Sequence, residues 1–215
     1  MDIKAFIFDM DGLLFDSERI VQRSWEIAGD ELGIPHMEDV IYHTLGMNRA
    51  GRNEYFRKYI REDFPFEEFG KLTRDNFWKI VDKEGLPLKK GAKELLAYGK
   101  SQGYKMAVAT SSSREYAMGN LIRAGIDSHF DSMVCGDMVK KAKPDPEIYQ
   151  KACESLGIQP EYCMAFEDAP GGILSAHQAG IHVIMVPDLV QPTQEIRELT
   201  YRVCDSLADV IGILN

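Results

Sequence analysis

The chain has no dense block of lysine and arginine, no long apolar run and no close pair of cysteines, and each absence removes a class of function. Its 215 residues hold 25 Lys and Arg against 34 Asp and Glu, a formal net charge of −9. An acidic chain is repelled by nucleic-acid phosphates and by anionic lipid unless it concentrates its basic residues, so neither is an expected partner. The apolar stretch at residues 5–8 is cut by Asp9 and Asp11. No window approaches the roughly 18 apolar residues that span a bilayer, so the expectation is a cytoplasmic protein with neither signal peptide nor membrane helix. The four cysteines, Cys135, Cys153, Cys163 and Cys204, form no C-x-x-C pair and mostly sit inside apolar runs. They read as reduced core residues rather than a metal or redox site.

What is present is an ordinary globular balance, 45% apolar and 27% charged, which excludes disorder, collagen-like repeats and a disulfide-stapled mini-fold. The length suits one large domain, or a medium one carrying an insert. Short apolar runs at 3–8, 104–109, 130–135, 163–166, 182–186 and 201–204 suit strands buried on both faces. Helical periodicity fills 91–101, 114–124, 146–156 and 172–179, and glycines 103, 125, 157 and 180 follow as stops. This alternation predicts a doubly wound α/β fold, a parallel sheet with helices on both faces. Between the first strand and Gly85 lie helix-like segments at 20–32, 39–45, 51–60 and 67–81 with no convincing strand, read as a small helical domain inserted after strand one. The aromatics of the Phe64–Phe69 tract are expected in its core rather than on a substrate wall, because a small bundle needs bulky residues to close its centre.

In doubly wound sheets ligands bind at the carboxyl ends of the strands, where strand order reverses. The first strand ends in Phe8-Asp9-Met10-Asp11-Gly12, two carboxylates on one face of extended chain. Alone this is also the composition of a solvated turn; it is not an EF-hand, whose third ligand position would be Leu13 and whose glycine would come later. The second strand ends in Thr110-Ser111-Ser112-Ser113, hydroxyls and amides before a helix start, equally suited to an anion and to an N-cap. After the third comes Lys140-Lys141-Ala142-Lys143-Pro144-Asp145-Pro146, where the prolines would stiffen the chain beside Lys143. The fourth ends in Glu167-Asp168-Ala169-Pro170-Gly171-Gly172. Clustered carboxylates call for a hard, oxygen-seeking cation, and Mg²⁺ is the expected occupant. Lysine and hydroxyls remain for a phosphoryl group, and a carboxylate can act as nucleophile while a second moves the proton.

With these segments in this order, the chain resembles the haloacid dehalogenase superfamily, in the branch with a helical cap that holds β-phosphoglucomutase-like proteins and small phosphatases. The resemblance implies Asp9 as nucleophile and metal ligand, and Asp11 as general acid/base whose backbone carbonyl also meets Mg²⁺. It implies Thr110 and Ser111 as phosphate binders, Lys143 as partner of nucleophile and phosphate, and Asp168 as metal ligand with Glu167 beside it. Residues 1–14 and 89–215 would form the core and 15–88 the cap. Asp11 argues against a true dehalogenase, which has no leaving oxygen to protonate. Among mutases, a cap His and Lys steer the sugar phosphate; Val21 and Leu45, before Gly46, stand there instead, while Arg49 matches a cap arginine that binds the distal phosphate. Arg49 could equally be an exposed helix residue.

The expectation is an Mg²⁺-dependent phosphatase acting on a small phosphorylated metabolite, a sugar phosphate or nucleotide-like ester, and working as a monomer. Two alternatives stand beside it: a β-phosphoglucomutase-type transfer, and a phospho-accepting receiver-like switch. The switch is disfavoured because receivers carry their acceptor on a middle strand and have no helical insert after the first.

Overall fold

A computed structural model describes residues 2–44 and 49–214, the side chains of residues 49 and 50 excepted. The chain divides into two units. Unit 1 is Met1–Asp16 with Pro87–Asn215, and unit 2 is Ser17–Leu86. Each break lies two residues inside the expected insert, because backbone hydrogen bonds hold the flanking residues to unit 1. Asp16 N–H donates to Pro87 O (2.9 Å), Lys89 N–H donates to Leu14 O (2.8 Å), and Phe15 bridges Leu88.

Unit 1 is built on six parallel strands: β1 (Ala5–Phe8), β2 (Lys105–Thr110), β3 (Ser132–Cys135), β4 (Cys163–Glu167), β5 (His182–Met185) and β6 (Arg202–Val203), in the order β3-β2-β1-β4-β5-β6. The connections carry α5 (Ala92–Ser101), α6 (Arg114–Ala124), α7 (Glu147–Leu156), α8 (Pro170–Gln178) and α9 (Gln194–Leu199), and α10 (Leu207–Leu214) follows β6. All four residues of β1 are fully buried. Alternation sends Ala5 and Ile7 to one face, against Ile148, Ala152 and Ile173. It sends Phe6 and Phe8 to the other, where Phe166 packs 5.1 and 4.8 Å from their ring centroids. Each such ring removed from water contributes roughly 1.5–3 kcal/mol.

The chain winds from β1 to β2 and β3 on one side, then resumes at β4 on the other, so the order reverses between β1 and β4. Phe8 is in register with Val108 of β2 and Phe166 of β4, which brings the three strand tips level. The four cysteines are buried free thiols, with Cys153 Sγ 3.7 Å from Cys163 Sγ.

Unit 2 holds α1 (Ser17–Glu31), α2 (Met37–Thr44), α3 (Arg49–Tyr59) and α4 (Phe66–Glu84). Its centre is aromatic: Trp25 meets Phe56 (5.6 Å between centroids) and Phe69 (5.5 Å), and Phe64 meets Phe56 (4.7 Å) and Phe69 (5.2 Å). Phe64 and Phe69 therefore serve the core of the unit. Arg23 forks onto Glu84 at 2.7 and 2.9 Å, tying α1 to the end of α4. No helix among the described residues is long and apolar enough to cross a membrane.

Candidate active site

The tip of β1 continues its pairing for one residue, since Asp9 N–H donates to Phe166 O (3.0 Å), and then closes into a turn in which Met10 O accepts from Leu14 and Phe15 N–H. Gly12 occupies that turn at φ +83, where a Cβ would lie 2.4 Å from Asp168 Oδ2. Both the left-handed backbone and the close approach of the β4 carboxylate require glycine there. Gly172 does the same for Glu167: a Cβ at that first turn of α8 would lie 1.9 Å from the carboxylate. The glycines of both motifs thus make room for acidic groups.

Lys143 binds these tips together. Its ammonium donates to Asp9 Oδ1, to Glu167 Oε1 (2.6 Å) and to Ala109 O (3.0 Å), and lies 5.1 Å above the ring of Tyr149. The Tyr149 hydroxyl donates to the same Glu167 Oε1 at 2.6 Å. The three ionic side chains are under 10% exposed: 9% for Lys143, 8% for Asp9 and 2% for Glu167. Burial raises the Asp9 carboxyl to about 7, against the lowering influence of Lys143 and with Glu167 and Asp11 adding to the rise. Burial alone would depress the Lys143 ammonium, but Asp9 and Glu167 outweigh it and hold it above its ordinary value. Burial, then Glu167 and Asp9, push the Tyr149 phenol well up, so it stays a donor.

Of the three lysines in the loop after β3, Lys140 and Lys141 are exposed and Lys143 turns inward. Glu147, in the first turn of α7, holds the loop by accepting from the backbone N–H of Lys140 (3.0 Å) and Lys141 (2.9 Å). Ser175 of α8 donates to Asp145 O at 2.6 Å. The prolines therefore act together with two polar ties.

Asp9, Glu167 and Asp168 each offer a carboxylate oxygen, all within 4.8 Å of one another. Three carboxylates against one buried ammonium leave an excess of negative charge, and the all-oxygen donor set suits a hard divalent cation. The Asp11 side chain is outside this cluster. Its Oδ2 accepts from Ser112 Oγ (2.7 Å) and its Oδ1 from Tyr116 OH (3.1 Å). Thr110 is buried at the tip of β2, its Oγ1 accepting from Ser112 N–H (3.1 Å), and Ser111 is exposed beside it. Two of the amides at the start of α6 are met from within unit 1. Ser113 is the N-cap and accepts from Tyr116 N–H, while Asp137 accepts from Arg114 N–H.

The structure thus brings together Asp9, Asp11, Thr110, Ser111, Lys143, Glu167 and Asp168 on one rim of unit 1. The sequence reading missed Ser112, Tyr116, Glu147 and Tyr149. A buried tyrosine in a helix needs a partner for its hydroxyl, a signal that could have pointed to Tyr149. Arg49 opens α3, but its side chain, like Leu45 and Gly46, lies outside the described residues; Val21 is half-buried on α1.

The profile of a family described as haloacid dehalogenase-like hydrolase matches residues 6–186, which include every one of the rim residues. The chain belongs to the haloacid dehalogenase-like hydrolase family. A phosphorylated carbohydrates phosphatase of Thermotoga maritima is 35% identical over 182 residues, 85% of this chain and 84% of that one. Hexitol phosphatase A of Escherichia coli is 33% identical over 186 residues, 86% and 84% of the two chains. Among solved structures, CbbY of Rhodobacter sphaeroides in complex with phosphate is 27% identical and superposes with a TM-score of 0.76, covering 97% of this chain and 96% of that one. As a member of this family with such relatives, the chain is a phosphomonoester hydrolase.

Proposed function

We propose that the protein releases phosphate from a small phosphorylated carbohydrate or polyol through a phosphoryl-enzyme on Asp9, with Mg²⁺. The observation that carries this is the Asp9–Lys143–Glu167 cluster beside Asp168, a nucleophile-sized carboxylate held by an ammonium at the rim of a phosphatase-family sheet. The substrate class follows the two relatives named for phosphorylated carbohydrates and hexitols.

Asp9 Oδ attacks phosphorus, and the ester P–O bond breaks with its electron pair going to the leaving oxygen, which takes a proton from Asp11. Water then attacks the aspartyl phosphate, Asp11 accepts its proton, and phosphate departs with Asp9 restored. Dividing one difficult displacement into two is the advantage of a covalent route. Lys143 offsets the charge of nucleophile and phosphoryl group, and Thr110 and Ser111 supply the hydroxyl-bearing tip of β2 to the phosphoryl oxygens. Asp9, Asp168 and the Asp11 carbonyl, with Glu167 beside them, would hold Mg²⁺, which when bound neutralises charge on the phosphoryl oxygens.

Phosphate release from a panel of hexose, pentose and hexitol phosphates, with Mg²⁺ and then with excess chelator, tests the reading. Turnover of carbohydrate esters that stops in chelator is expected; full activity in chelator overturns the metal assignment. If β-glucose 1-phosphate with catalytic glucose 1,6-bisphosphate yields glucose 6-phosphate faster than free phosphate, the protein is a mutase instead.

A further inference from the structure

Because Phe8 and Val108 are in register, the chain beyond β1 runs beside the chain beyond β2, and Asp11 comes level with the serine run. The N-cap of α6 is Ser113, so the Ser112 hydroxyl is not needed to start the helix; it donates to Asp11 Oδ2 at 2.7 Å. Tyr116 is the third residue of α6, where Cα–Cβ bonds tilt toward the helix N-terminus. That tilt carries its ring back toward the β1 tip, where the half-buried phenol donates to Asp11 Oδ1 at 3.1 Å.

We propose that Ser112 and Tyr116 are positioning residues that clamp the Asp11 carboxyl group for proton transfer to the leaving oxygen. This rests on the acid/base reading of Asp11 above. One donor on each oxygen fixes the plane of the group. When Asp11 gives its proton to the ester oxygen, the carboxylate left behind is already met by two hydroxyl donors, and hydrogen bonds to a charged acceptor are the stronger kind. The clamp therefore favours the state Asp11 reaches as the leaving group departs. It also holds a half-buried side chain at a strand tip in one rotamer, where a free one would turn to solvent.

The test uses leaving-group chemistry. An alkyl phosphate such as a hexitol phosphate needs its leaving oxygen protonated, whereas p-nitrophenolate leaves without help. kcat/KM, which for this route reports the first step, is measured on both esters for Tyr116→Phe, Ser112→Ala, Ser112→Thr and Asp11→Asn, with thermal melts to establish folding. Asp11→Asn should lose about 10²- to 10⁴-fold on the alkyl ester and far less on the aryl ester. Tyr116→Phe and Ser112→Ala should each lose roughly tenfold on the alkyl ester, chiefly in kcat, and leave the aryl ester unchanged, with Ser112→Thr recovering most of the loss. Equal losses on both esters, no loss, or a gain on the alkyl ester overturn the clamp if Asp11→Asn shows the selectivity. If Asp11→Asn lacks it, the acid/base reading falls and takes the clamp with it.

Discussion

In unit 1 the buried side chains include Asp9 and Glu167, both bound to Lys143, together with the buried Tyr149 hydroxyl. In unit 2 the buried polar side chains, among the described residues, are Ser17, Ser24, Thr44 and Asn76; none of them is charged, and Asn76 reaches charged groups only outside the buried set, donating to Glu31 Oε1 (3.3 Å) and accepting from Lys79 Nζ (3.2 Å). Two of those hydroxyls turn back on their own helices, Ser24 onto Val21 O and Thr44 onto Val40 and Ile41 O. Unit 2 is thus stabilised in the ordinary way, by aromatic and aliphatic burial. Unit 1 carries paired charges whose desolvation weighs against folding, an arrangement better explained by chemistry than by stability. The difference teaches where substitutions should affect activity and where they should affect only the fold.

Asp9→Asn gives the largest effect. Turnover should fall by at least about a thousandfold because an amide is a poor nucleophile, while the sheet stays folded. The same variant sharpens the stability side of the comparison. In chelator the wild-type Asp9 carboxyl is raised from 3.8 to about 7, so the folded state favours its neutral form. That stabilisation is complete below the unfolded value and is lost as pH rises through about 4 to about 7, a decline that thermal melts should show for wild type and not for Asp9→Asn.

Lys143→Met should come next. It leaves Asp9 and Glu167 buried without their cation, and breaking a buried pair costs about 3–5 kcal/mol, read by denaturant unfolding in chelator at neutral pH. Activity should collapse as well. Unchanged stability would mean that water or a bound cation compensates, and the contrast between the units would be weaker than drawn.

Phe69→Ala probes the other unit. Truncating a buried phenylalanine typically costs about 3–5 kcal/mol, and both tryptophans, Trp25 and Trp78, lie in unit 2. Their fluorescence should therefore report unfolding at lower denaturant. The cluster of Asp9, Lys143 and Glu167 gains or loses no group in this variant, so a chemical step lost while unit 2 remains folded would contradict the division of labour.

How much of this could be read from the residues varies with the kind of signal. The six strands were legible because a strand buried on both faces is a short apolar run with little else to be. The acidic tips were legible because a parallel sheet brings its carboxyl ends to one rim. The helices α9 and α10 were not, since one is six residues long and the other, Leu-Ala-Asp-Val-Ile-Gly-Ile-Leu, is an eight-residue apolar run with a single charge, too short to be told from a buried strand by its period. Tyr149 was hidden because a helix period reports that a residue is buried, not what its hydroxyl meets. Ser112 and Tyr116 were hidden by a run of three serines, in which only the backbone decides which one caps the helix and which one turns to Asp11.

The smallest expected effect belongs to Glu147, which touches no reacting group yet holds the loop that aims Lys143. Its carboxylate accepts from Lys151 and from the backbone of Lys140 and Lys141, with Lys151 as the largest influence, and together they hold it down at about 2. A lowered carboxyl contributes stability above its unfolded value of 4.5, and that contribution is lost as pH falls from there toward about 2. Glu147→Gln keeps the size and one acceptor oxygen but loses the charge, so the loop should loosen rather than unfold. A few-fold drop in kcat/KM at neutral pH is expected, because a buried ammonium displaced slightly from Asp9 misplaces charge that the first step depends on. Thermal melts of variant and wild type should converge as pH is lowered below about 4, where the wild-type carboxylate begins to be neutralised. Melting curves that stay parallel down to acid pH would show that Glu147 is only a solvated surface group, and that Pro144 and Pro146 are enough to hold Lys143 in place.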